Sequence, residues 1–62
     1  MLRLINFVSA HPENMGETVM INPEQVCLLK IGTQCTIIIT TGGAHPVRGP
    51  INEVARRLTD PS

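Results

Sequence analysis

The sequence predicts an α+β fold: a small five-stranded, mostly antiparallel sheet or half-barrel with one C-terminal helix, in a single domain over residues 1–62. Three observations predict it. The segment Cys35-Thr36-Ile37-Ile38-Ile39-Thr40-Thr41 has β-branched residues on both faces of a strand, as in a sheet covered on both sides. Gly42-Gly43 follows it and indicates a hairpin turn, because glycine adopts positive φ freely. Beyond Pro50, apolar residues recur at helical spacing.

Strands are predicted over residues 2–9, 18–21, 26–31, 35–41 and 44–48. Residues 10–17 form a polar loop because they contain proline, asparagine and glycine. Asn22 and Pro23 predict a capped turn, since asparagine accepts hydrogen bonds from nearby backbone amides and proline fixes φ. The fifth strand must lie at an edge, because Pro46 cannot donate a hydrogen bond to a neighbouring strand.

A helix is predicted to open at Pro50, which suits the first helical position. Its apolar stripe consists of Ile51, Val54, Ala55 and Leu58. Glu53 near the start and Arg56-Arg57 near the end suit the helix dipole, and Pro61 ends the helix. About ten residues of helix are marginal alone, so the helix must dock on the sheet.

The register between strands three and four follows from a three-residue loop, Gly32-Thr33-Gln34, which pairs Ile31 with Cys35. A two-residue loop would place Lys30 among apolar side chains and is disfavoured. The first face, expected under the helix, then carries Cys27, Leu29, Ile31, Cys35, Ile37, Ile39 and Pro46. The second face carries Val26, Leu28, Lys30, Thr36, Ile38, Thr40, His45 and Val47.

The second face predicts an interface, since it combines an apolar centre with a polar rim. A chain of this size buries only about 60% of its unfolded surface, and its 42% hydrophobic content favours oligomerisation over disorder. We therefore expect a homo-oligomeric, non-catalytic interaction or regulatory module, with itself or another protein as partner. The predicted binding or oligomer face consists of Leu28, Lys30, Ile38, His45 and Val47.

Charge and hydropathy argue against other partners. Five Lys and Arg balance five Asp and Glu, and Phe7 is the one aromatic residue, so a single chain is a poor nucleic-acid binder. The alternative function is a nucleic-acid-binding regulator whose oligomer gathers Arg3, Lys30, Arg48 and Arg56. Neither a signal peptide nor a span of ~20 apolar residues is present, so we expect a cytoplasmic protein without membrane insertion.

The residues that could carry chemistry favour a non-enzymatic protein without metal or cofactor. Cys27 and Cys35 with His11 and His45 match the ligand types of a zinc site, but the expected register separates the thiols by ~13 Å. This separation also prevents a disulfide, so buried, reduced thiols are expected. His45 could contact a ligand or titrate near neutral pH, but a partly exposed strand residue is the simpler interpretation. Ser9 has no neighbouring base in the sequence.

Three segments carry a family resemblance: Val19-Met20-Ile21-Asn22-Pro23-Glu24-Gln25-Val26, Thr36-Ile37-Ile38-Ile39-Thr40-Thr41-Gly42-Gly43, and Val47 with Glu53-Val54. Together they resemble the small FlbD/SwrD-type proteins of flagellar and swarming motility. The resemblance implies a non-enzymatic, cytoplasmic accessory protein associated with motility. It carries no catalytic motif onto this chain.

Overall fold

The computed structural model describes residues 3–59, which form five strands, one 3-10 turn and one helix. Their bounds are β1 Ile5–Val8, β2 Thr18–Ile21, the 3-10 turn Pro23–Gln25, β3 Val26–Gly32, β4 Cys35–Thr40, β5 Gly43–Val47 and α1 Ile51–Thr59. The α+β class is therefore confirmed. The predicted start of the first strand at Leu2 and the helix stop at Pro61 lie outside the described residues.

The strands form two sheets, so the prediction of one five-stranded sheet is wrong. β1 and β2 form an antiparallel pair, while β3, β4 and β5 form a three-stranded antiparallel sheet in that order. A single bridge, Ser9 opposite Val47, links the two sheets. Beyond that bridge the chain turns away at residues 10–17, because Ser9 exchanges its backbone hydrogen bonds with Gly16 and Glu17 of the loop.

The turn between β3 and β4 contains two residues, not the three that were predicted. Gly32 lies opposite Cys35 and Leu29 opposite Ile38, with Thr33 and Gln34 between the strands. Gln34 adopts a left-handed conformation (φ 59°), which is uncommon for a residue with a Cβ. The side chains of a strand alternate between its two faces. This one-residue difference therefore places Leu28 and Lys30 on the same face as Ile37 and Ile39, instead of on the face of Ile38.

The turn between β4 and β5 is also displaced by one residue from its predicted position. Thr40 lies opposite Gly43, so Thr41 and Gly42 form the turn and Gly43 (φ 130°) begins the strand. Ile38 consequently lies opposite His45, and Ile37 opposite Pro46. Displacing the turn by one residue changes each residue's partner by two positions, so Ile38 lies opposite His45 instead of Val47. Because side chains alternate with a period of two, the predicted faces of β4 and β5 are unchanged.

The helix covers the face that was predicted to meet a partner. We call this the inner face; its buried members are Thr36, Ile38 and Val47. Val54 and Leu58, the buried half of the predicted helical stripe, complete the core together with Phe7 and Ile21. The core therefore draws on both sheets and the helix, and the helix docks on the sheet as predicted.

Two polar contacts fix the helix to the strands. The hydroxyl of Thr36 donates a 2.8 Å hydrogen bond to the carbonyl oxygen of Gly49, which has positive φ (120°) just before the helix. From the helix, the guanidinium of Arg57 donates to the carbonyl oxygen of Asn6 and lies 4.5 Å above the centre of the Phe7 ring. Strand, loop and helix are thus joined by hydrogen bonds as well as by apolar packing.

The predicted capped turn at Asn22 is confirmed. The side-chain oxygen of Asn22 accepts a 3.0 Å hydrogen bond from the amide of Glu24, and Pro23 occupies the first position of the 3-10 turn. Gln25 then contacts the far end of β4: its backbone and side-chain oxygens both accept hydrogen bonds from Thr41. The connection between the two sheets is thereby held against the β4–β5 turn.

Candidate interaction surface

The side of the three-stranded sheet opposite the helix carries neighbouring apolar side chains that the helix does not cover. We call it the outer face; it consists of Leu28, Lys30, Gly32, Cys35, Ile37, Ile39, Ala44 and Pro46, which alternate with the inner-face residues. Among these residues, none is fully buried. Leu28 is half exposed (50%), and Ile37 and Ile39 in the central strand are partly buried. An apolar centre bordered by one lysine is typical of an interaction surface.

The five residues predicted to form a binding face do not share one surface. Leu28 and Lys30 lie on the outer face and are exposed. Ile38 and Val47 lie on the inner face with 0% exposure, at the centre of the core. His45 is half-buried beside them in β5, opposite Ile38. The prediction of a common exposed face is wrong, because it depended on the three-residue turn.

Sequence reasoning missed Ile37, Ile39 and Pro46 as surface residues and assigned them to the helix side. They alternate with Thr36 and Ile38 as predicted, but both faces of β4 are apolar enough to serve as a core. The residue that distinguishes the two faces is Thr36, because its hydroxyl donates a hydrogen bond to the backbone carbonyl of Gly49 just before the helix. Such a pairing is not visible in the spacing of residues along the chain.

The free edge of β3 adds a second apolar feature. Within residues 3–59, β3 pairs with β4 on one side and with no strand on the other, so its other side is the edge of the sheet. Ile31 in this strand is 78% exposed, the largest exposure of the large hydrophobic residues described. At Cys27 one extra residue interrupts the pairing with β4, which forms a β-bulge near the start of the strand.

An apolar groove of about 500 Å³ lies beside this edge, at the β3–β4 turn and the start of the helix. Ile31, Cys35, Pro50 and Ile51 provide much of its lining, with Gln34 and Asn52 as polar neighbours. The groove shares Cys35 and Gly32 with the outer face, so the two apolar features are continuous at this end of the sheet.

A more polar cleft of about 370 Å³ brings the two histidines to one site. His11, Glu13 and His45 line it, and the buried hydroxyl of Ser9 donates a 2.7 Å hydrogen bond to the Asn14 side chain at its floor. His11 Nδ1 accepts from the amide of Glu13, which leaves its Nε2 to face other partners. Within residues 3–59, no group of three or more His, Cys, Asp or Glu side chains could hold a metal ion.

Both thiols are free, but the prediction that both are buried is wrong. Cys27 is exposed in the bulge, and its Sγ has only a long 4.0 Å contact with the carbonyl oxygen of Gln25. Cys35 is half-buried on the outer face, where its Sγ occupies the space that a Cβ on Gly32 would need. The bulge explains the difference, because it removes Cys27 from the regular alternation of β3.

The basic residues of the alternative function do not form one patch on a single chain. Lys30 lies on the outer face, whereas Arg56 is an exposed residue of the helix, which packs on the opposite side of the same sheet. Any surface that combines these two side chains requires more than one copy.

Searches against protein-family models, curated proteins and solved structures find no match to this chain. The resemblance to the FlbD/SwrD-type proteins therefore stays a prediction. None of the helices described within residues 3–59 has the length and apolar character needed to cross a membrane.

Proposed function

We propose that this chain is a non-catalytic interaction module, regulatory in role, that works as a homo-oligomer through the outer face of its three-stranded sheet. The observation that carries the proposal is an apolar face that the helix does not cover, on which Leu28 is half exposed and Ile37 and Ile39 are only partly buried. Burying an apolar side chain completely contributes about 1.5–3 kcal/mol relative to full exposure, so the parts of these three side chains that stay exposed leave some of this energy unused.

The size of the chain supports a second copy as the occupant of this face. A core of this size supplies about 3–5 kcal/mol of net stability, and natural domains of similar length often gain the rest by oligomerisation. Because a partner that binds only the folded state stabilises it, self-association would also stabilise the fold. The surface carries one charge, Lys30, at its border, so two copies can meet face to face with their apolar centres in contact.

A non-catalytic role follows from how the reactive side chains are used. Ser9 is 2% exposed and its hydroxyl donates a hydrogen bond to Asn14, so it is not paired with a base. Cys27 contacts a backbone carbonyl instead of a histidine. Since both cysteines are free, we also propose a reducing, cytoplasmic environment. An association with motility follows from the family resemblance alone.

Light scattering coupled to size-exclusion chromatography, over a range from about 5 to 500 μM, tests this proposal. The expected result is a mass that rises from one chain towards an oligomer. The double variant Ile37→Thr/Ile39→Thr should weaken the association at least tenfold, because it keeps β-branched residues but removes apolar surface. Met20→Thr is the matched control, since Met20 is exposed in the other sheet. A mass of one chain at every concentration would refute the proposal.

A further inference from the structure

The free edge of β3 offers backbone hydrogen-bonding groups as well as exposed side chains. In a two-residue hairpin the closing pair, here Gly32 and Cys35, is hydrogen-bonded, and alternate residues then direct their amides to the partner strand. Lys30 and Leu28 therefore direct their N–H and C=O groups toward β4. Leu29 and Ile31 direct theirs outward, along an edge that no described strand pairs with.

We infer that a second copy of this chain occupies this edge, with the two β3 strands antiparallel about a two-fold axis. The inference rests on the proposed self-association and adds a contact distinct from face-to-face packing. Outward-directed residues must pair with one another, and a register centred on Leu28 would pair Leu29 with the bulge at Cys27, so three symmetric registers remain. They are centred on Leu29, Lys30 or Ile31.

Charge and strand length select the register centred on Leu29. The register centred on Lys30 places the two lysines directly opposite each other, and like charges in that position destabilise a sheet. The register centred on Ile31 pairs β3 with the turn residues Thr33 and Gln34, since the strand ends at Gly32. Centred on Leu29, each Lys30 lies opposite Leu28 of the other copy, and all pairs stay within the strand.

The bulge and the exposed side chains fit the same arrangement. The bulge at Cys27 leaves residues 28–32 regular, so the pairs from Leu28 to Lys30 are regular in this register and Ile31 lies opposite the bulge of the other copy. The inner faces of the two copies then lie on the same side of the joined sheet. Ile31, which is 78% exposed in a single copy, lies beside the start of β3 in the other copy. The outer faces likewise join into one surface of six strands.

The alternative edge, β2, is a weaker candidate. It contains four residues, against seven in β3, and is preceded directly by Glu17. A two-fold pairing of β2 strands would give a ladder of four residues at most. The choice of β3 therefore depends on strand length.

Disulfide trapping tests the edge contact and its register. In a Cys27→Ser/Cys35→Ser background, Leu28→Cys and Lys30→Cys are made as separate proteins, since both positions are exposed. Directly opposed residues that are not hydrogen-bonded have Cα atoms about 4.5 Å apart, which suits a disulfide. On mild oxidation of an equimolar mixture, the mixed dimer should exceed both homodimers at least tenfold by mass spectrometry. Met20→Cys, exposed in the other sheet, gives the background rate of random collision.

Each other outcome has a defined meaning. A mixed dimer that forms no faster than the Leu28→Cys homodimer, in which both lysines are retained, would overturn the register. Trapping no faster than with Met20→Cys, while the unsubstituted chain is oligomeric by light scattering, would overturn the edge contact and leave the proposed function standing. A monomeric unsubstituted chain at every concentration, with no trapping, would overturn both.

Discussion

The hydroxyl of Thr36 is a single group whose removal should measurably weaken the fold. Thr36 is 1% exposed, and its Oγ1 donates a 2.8 Å hydrogen bond to the carbonyl of Gly49 before the helix. Thr36→Val keeps the shape of the side chain but leaves this carbonyl without its donor. An unsatisfied buried group costs about 1–3 kcal/mol, and because Gly49 is only half-buried we expect about 1–2 kcal/mol.

That loss is large for a chain of this length. Against a net stability of about 3–5 kcal/mol, it removes roughly a third of the free energy of unfolding. Since 1 kcal/mol shifts the midpoint of thermal unfolding by about 4–8 °C in domains of 60–100 residues, Tm should fall by about 5–15 °C.

Urea titration followed by circular dichroism, at a fixed low protein concentration, measures the change. Thr40→Val is the matched control, since it removes a hydroxyl that bonds within the exposed β4–β5 turn. Water can replace that bond, so the control should cost at most about 0.5 kcal/mol. A Thr36→Val protein as stable as the unsubstituted chain, or a control that loses as much, would refute the assigned role of the Thr36–Gly49 bond.

Two further variants test the assignment of faces and the docking of the helix. Ile38→Ala should cost about 2–5 kcal/mol and leave little folded protein in a thermal melt, whereas exposed Leu28→Ala should unfold near the unsubstituted chain; equal losses would contradict the inner-face assignment. Arg57→Met should lower the free energy of unfolding by about 0.5–1 kcal/mol in urea titration, because it loses the contact with the Phe7 ring. Arg56→Met, at an exposed position of the helix, should leave the free energy of unfolding unchanged. A larger loss in Arg56→Met than in Arg57→Met would contradict the docking contact.

The elements themselves could be predicted from local patterns. β2, the Asn22 cap and the apolar stripe of the helix all follow from side-chain chemistry that acts within a few residues. The helix begins at Ile51, one residue after the proline predicted to open it, and the carbonyl of Pro50 accepts its first internal hydrogen bond.

The faces of the sheet could not be predicted in the same way. They depend on the turn at Thr33 and Gln34, where a glutamine adopts a left-handed conformation that its residue type does not favour. Because Lys30 lies on the solvent side of the sheet, its charge is compatible with the shorter turn that sequence reasoning rejected. The error in the register also made the predicted surface wrong. Ile38 and Ile39 are the same residue type, and only the face of the sheet on which each side chain lies distinguishes them.

The helix follows all five strands along the chain, and this order affects how the protein folds during synthesis. Until residues 51–59 have left the ribosome, Ile38 and Val47 have no cover from the helix, and Phe7 lacks the guanidinium that later lies over its ring. The strands of the nascent chain therefore lack part of their apolar cover until the helix has been synthesised.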